Sequence, residues 1–90
     1  MNVVWDPVKA KTNFRKHRIR FSDAEFVLFD PMTLEIEEQF VNGEQRFVSV
    51  GSDAIGRILV VVYAYRSDSI RMISARKATS RERKAYEKGI

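Results

Sequence analysis

Four residues in this chain carry the groups that phosphodiester cleavage requires: His17, Glu44, Arg57 and Arg76. Attack by an RNA 2′-hydroxyl on its neighbouring phosphate needs a base for that hydroxyl, positive charge on the phosphorane and an acid for the leaving oxygen. Fixed cationic donors aimed at developing charge commonly contribute ~10²–10³ each in rate. Arg57 and Arg76 fit the charge-stabilising role, and either His17 or Glu44 could transfer protons. His17 is the only histidine, so a mechanism with two is excluded. Each group also has an ordinary use. A histidine near a helix end packs or meets the helix dipole, and a glutamate beside a turn is usually solvated or paired, here with Arg46. No histidine, cysteine and carboxylate spacing marks a metal site, no cofactor is implied, and no glycine-rich phosphate loop is present.

The stretch Gly56–Ala78 must position the two arginines. Ile58 to Tyr65 is an apolar and aromatic run that reads as a strand covered on both faces. Ser67-Asp68 supplies a two-residue turn into a second strand. That turn sets Tyr63 opposite Met72 and Leu59 opposite Arg76. One face then carries Ile58, Val60, Val62, Ala64, Ile73 and Ala75, the better core surface, broken only by Arg71 near the turn. The other carries Arg57, Leu59, Val61, Tyr63, Tyr65, Met72, Ser74 and Arg76, so the two arginines become diagonal neighbours roughly 7–8 Å apart. A four-residue loop over 53–56 would add Arg46 to this face, and one residue more or less would turn it away. Tyr63 and Tyr65 read as half-buried packing residues, and Tyr86 as the anchor of the last helix.

Val3-Val4-Trp5 reads as an edge strand. Asp6-Pro7 opens a helix ending near His17, since aspartate caps the first N–H groups and proline suits the first turn. Ser22 and Glu25 form a capping-box pattern for a second helix, halted at Asp30-Pro31. An acidic strand over 33–40 turns at Asn42-Gly43 into a strand over 45–51. Thr79 and Glu82 cap a last basic helix that stops at Gly89. The expected fold is α+β: two N-terminal helices on a 3–4-stranded antiparallel sheet, plus a short C-terminal helix.

Ninety residues make one domain, residues 1–90. The net charge of +4 hides a partition: residues 1–20 and 57–90 are basic, at +5 and +6, and residues 21–56 are acidic, at −7. Basic ends attract phosphate backbones without regard to sequence. There is no cysteine, no signal-peptide pattern and no apolar run near the ~20 residues of a membrane helix, so a cytoplasmic protein with no membrane contact is expected.

The sequence resembles the BrnT family of bacterial toxins from type II toxin–antitoxin systems. The likeness runs through Trp5-Asp6, Lys9 and Asn13; Lys16-His17; Phe21 and Ala24; Asp30-Pro31; Gly43-Glu44 and Arg46; Gly56-Arg57; and Arg71 with Ile73 to Ala78, Glu82, Arg83 and Tyr86. Arg18 departs from the family pattern, which has glycine after Lys-His. The resemblance implies a RelE-like fold and a ribonuclease that inhibits translation. It implies neutralisation by a ribbon-helix-helix antitoxin of the BrnA kind, and operator binding only through that antitoxin. It points to His17, Glu44, Arg57 and Arg76 as catalytic positions, with Lys16, Arg46, Lys77 and Arg83 as RNA-binding charges. The competing reading is a non-catalytic basic module that grips nucleic acid or a partner.

Overall fold

The central hairpin forms from the apolar run and its turn. In the computed structural model, which describes residues 2–89, strand β4 (Ile58–Arg66) pairs antiparallel with β5 (Ser69–Lys77). Near the turn the register is the expected one, with Arg66 opposite Ser69 and Tyr63 opposite Met72. Beyond it a β-bulge leaves Ile73 unpaired, and Val62 then faces Ser74, Val60 faces Arg76 and Leu59 faces Lys77. One extra residue in one strand reverses the side of every residue after it. Arg76 therefore shares a face with Val60 and Val62, away from Leu59 and Val61.

The sheet is larger than expected. Its order is β1-β5-β4-β3-β2, with β1 (Asn2–Val4) parallel to β5 and with β2 (Leu34–Val41) and β3 (Glu44–Ser52) antiparallel. Five strands in a mixed sheet replace the expected 3–4-stranded antiparallel one. The N-terminal strand is present, but it lies along β5, where Val3 pairs with Ile70. The two-helix N-terminal layer is corrected as well. Helix α1 (Pro7–His17) forms, capped by Asp6, which accepts from the Val8 N–H at 2.8 Å. Helix α2 spans only Phe21–Ala24 before tightening into a 3₁₀ turn over Glu25–Phe29. Its cap is Arg20, with no side-chain bond, so the Ser22–Glu25 box is not used. Phe26, Val27 and Phe29 lose rotamer freedom in a helix, and Asp30 before Pro31 is extended. At the far end α3 (Ser80–Lys88) has the Thr79–Glu82 capping box and stops at Gly89, φ 72°. Asn42 and Gly43, both at positive φ, turn β2 into β3.

The principal core lies on the face opposite to the one expected. Leu59, Val61, Tyr63, Met72 and Ala75 meet Ile19, Phe21, Ala24 and Val27 from the N-terminal helical layer. Trp5 packs edge-on to Phe21 at 5.8 Å between ring centres. A smaller cluster of Val48, Val50 and Val60 on the reverse face is covered by Tyr86 and Ala78. Past Arg71, where β1 ends, the edge of β5 is closed by Asn13. Its buried amide accepts from the Ala75 N–H at 3.0 Å and donates to the Ala75 and Ile19 carbonyls at 2.9 and 3.1 Å. Asn13 thus does for Ala75 what a neighbouring strand would do.

Candidate active site on the basic sheet face

Two parity changes assemble an arginine face that neither strand announces alone. The connection from β3 to β4 holds five residues, 53–57, so Phe47 lies opposite Tyr63 and Arg46 turns to the side of Val48 and Val62. The bulge sends Arg76 to that same side, and Arg71, opposite Ala64, is already there. Glu44 stands among these cations. Its Oε1 accepts from Arg46 Nε at 3.2 Å, and Arg71 Nη2 reaches both carboxylate oxygens at 2.6 and 2.7 Å. A third guanidinium, of Arg66, lies 4.0 Å from Oε2. The Arg71 hydrogen bonds, followed by the one from Arg46, hold the Glu44 carboxyl below the usual carboxylate range. Glu44 is therefore a persistent anion and a weak proton acceptor, suited to orienting arginines. In sequence Arg71 looked like a flaw in an apolar face, and its spacing to Arg76 was masked by the bulge.

Arg76 shares this face but pairs outside the Glu44 cluster, and the other expected site residues fall elsewhere. Arg76 makes a two-pronged contact with Glu82 at 2.8 and 2.9 Å. That contact leads the forces pushing the Glu82 carboxyl down to about 2. Arg57 donates through Nε to the buried Asp53 at 2.6 Å and approaches Asp23 of α2 at 3.5 Å. Asp53 also accepts from the Ile55 and Arg57 N–H groups, so Arg57 is part of the clasp that shapes the 53–57 loop. The expected convergence of Arg57 and Arg76 is corrected accordingly: the former faces α2 and the latter α3. Arg57, Lys77 and Arg83 instead line one cleft of about 420 Å³ with Glu87. His17 and Lys16 end α1 beside Lys9, in a depression of about 240 Å³ against Ile73 and Ser74.

Tyr63 is a core residue whose hydroxyl bonds Ser49 at 2.9 Å, and burial raises its phenol. Tyr86 anchors α3 as expected. Its hydroxyl donates to Asp30 at 2.6 Å, which leads the causes pushing its phenol up to about 12. Among the described residues no three His, Cys, Asp or Glu side chains are grouped to hold a metal ion.

The family described as "Ribonuclease toxin, BrnT, of type II toxin-antitoxin system" matches residues 5–82. The chain belongs to the BrnT family. It is also similar to the Brucella abortus ribonuclease toxin BrnT, known from a crystal structure, with a TM-score of 0.67 and 26% sequence identity. The match covers 89% of this chain and 99% of the Brucella one. No curated protein sequence matches. Membership makes RNA the target and an antitoxin the partner of BrnT proteins such as this one. Among the described residues no helix is long and apolar enough to cross a membrane.

Proposed function

We propose that this BrnT-family chain is a single-domain endoribonuclease that cleaves RNA by 2′-hydroxyl attack, with arginines rather than a metal ion meeting the charge of the transition state. The observation that carries this reading is the face shared by Arg46, Arg71 and Arg76, with Glu44 holding the first two in place. Arg71 to Arg76 spans roughly 15 Å of strand, so an RNA backbone running along β5 would meet cations at both ends. Ser74 lies between the two arginines and lines the His17 depression. His17 is therefore the better proton-transfer group, since Glu44 is committed to its arginines. Arg57, Lys77 and Arg83 extend the backbone contacts, with Lys16 beside His17. Cleavage of messenger RNA would stop translation in the cytoplasm. A ribbon-helix-helix antitoxin of the BrnA kind would neutralise the toxin and carry the pair to operator DNA.

The decisive assay follows cleavage of a defined RNA by purified protein with and without EDTA. Arg46→Ala and Arg76→Ala should each lose ~10²–10³ in rate while circular dichroism stays unchanged. His17→Ala should lose ~10²-fold or more, and Glu44→Gln much less. Activity abolished by EDTA and restored by a divalent ion would overturn the arginine mechanism. RNA bound but left intact by the wild type would favour a binding module.

A further inference from the structure

A second basic cavity lies on the helical side of the sheet and shares no residue with the arginine face. It holds about 520 Å³ between α1 and the start of α2, within the ~300–1,000 Å³ of ordinary small-ligand sites. Lys11, Arg15, Arg18 and Arg20 line it, and no carboxylate does. Among the described residues none of these four joins an ion pair, whereas Arg46, Arg57, Arg66, Arg71 and Arg76 all do. Four like charges around one hollow repel each other unless an anion enters. The wall between them is aromatic. The guanidinium carbons of Arg18 and Arg20 lie 5.8 and 5.1 Å from the centre of the Phe14 ring, and Trp5 also lines the cavity.

Backbone conformation adds a separate argument. Arg18 closes α1 at φ 62°, ψ 26°, a left-handed conformation that favours glycine. Its N–H bonds the Phe14 carbonyl at 2.8 Å, a bond that glycine would make equally well. The arginine side chain is exposed and lines the cavity, whereas the hydrogen bond that closes the helix is made by its backbone alone.

Carboxylates of an acidic peptide would use the cations but not the aromatic wall. A nucleotide uses both, because its base has a flat face and its phosphate suits a guanidinium fork. We propose that this cavity holds one nucleotide of the RNA strand outside the cleavage site, its base against Phe14 and Trp5 and its phosphate on Arg18 and Arg20. The inference rests on the ribonuclease reading and supplies that reading with a remote substrate subsite.

The test uses a single-stranded RNA oligonucleotide with 2′-O-methyl sugars, which can bind but cannot be cleaved, followed by fluorescence anisotropy. Arg18→Gly removes the cation and relieves the backbone, so this variant should melt no lower than wild type. It should bind the oligonucleotide about tenfold more weakly, with the slope of log K against log salt reduced by about 0.7. Phe14→Leu should weaken binding by about tenfold through lost stacking. Cleavage of a dinucleotide, too short to span both sites, should be unchanged in Arg18→Gly, while KM for a long RNA rises. Oligonucleotide binding within twofold of wild type and an unchanged salt slope in Arg18→Gly would overturn the subsite and leave the ribonuclease reading intact. Polyglutamate binding that is lost in Arg18→Gly, with RNA binding unaffected, would overturn it in favour of an acidic partner. A wild type that neither binds nor cleaves RNA would remove both.

Discussion

Replacing Asn13 with alanine strips the open edge of β5 of its only side-chain cover among the described residues at Ala75. Asn13 is 6% exposed and makes three hydrogen bonds of 2.9–3.1 Å, two of them to Ala75 and one to the Ile19 carbonyl. At ~1 kcal/mol net each, their loss costs about 3 kcal/mol. Alanine is the better helix former by ~0.6 kcal/mol and offsets a little of this. The expected net loss is about 2–3 kcal/mol, a substantial part of the ~5–13 kcal/mol typical of a chain this long. The thermal midpoint should fall by ~10–20 °C. Urea unfolding followed by circular dichroism measures the loss, and amide exchange at Ala75 reports its location. The amide should exchange much faster in the variant, because its N–H has lost its acceptor. A loss under ~0.5 kcal/mol, or unchanged protection at Ala75, would refute the idea that this side chain stands in for a strand.

The Arg76–Glu82 contact carries a pH dependence. The folded Glu82 carboxyl is depressed from 4.5 to about 2, so its contribution is fully present above 4.5 and is lost as pH falls toward about 2. Melting of wild type and Glu82→Gln should show a gap in favour of wild type at neutral pH that closes through that window; a constant gap would sink the assignment. Tyr86→Phe removes the 2.6 Å bond to Asp30, whose carboxylate also accepts from the Ser52 and Met32 N–H groups. A hydrogen bond to a charged acceptor is worth ~1.5–3 kcal/mol, and partial exposure places this one near the lower end. Denaturant unfolding should register that loss, and an unshifted midpoint would mean that the Tyr86–Asp30 bond contributes nothing to holding α3.

Where the fold was legible in sequence, the cause was local. Asp6-Pro7 starts α1 because the cap and the proline act within one turn, and Thr79 with Glu82 starts α3 for the same reason. Asn42-Gly43 tolerates the positive φ that a two-residue hairpin demands. The arginines of the candidate site are nearly all legible as well, except Arg71, whose place in an otherwise apolar strand face hides its role. Their grouping was not legible. It turned on the bulge at Ile73 and on one residue in the 53–57 loop, each of which changes nothing in composition yet exchanges the two faces of a strand.

The residues with groups suited to RNA cleavage, and the family to which the chain belongs, were determined by the sequence itself: His17, Glu44 and the basic positions carry their chemistry wherever they are placed. Only tertiary structure decided which of them meet. Arg57 and Arg76 parted to α2 and α3, and Arg46, Arg71 and Glu44 came together, because strand pairing is set by contacts across the sheet and by a side-chain period of two residues.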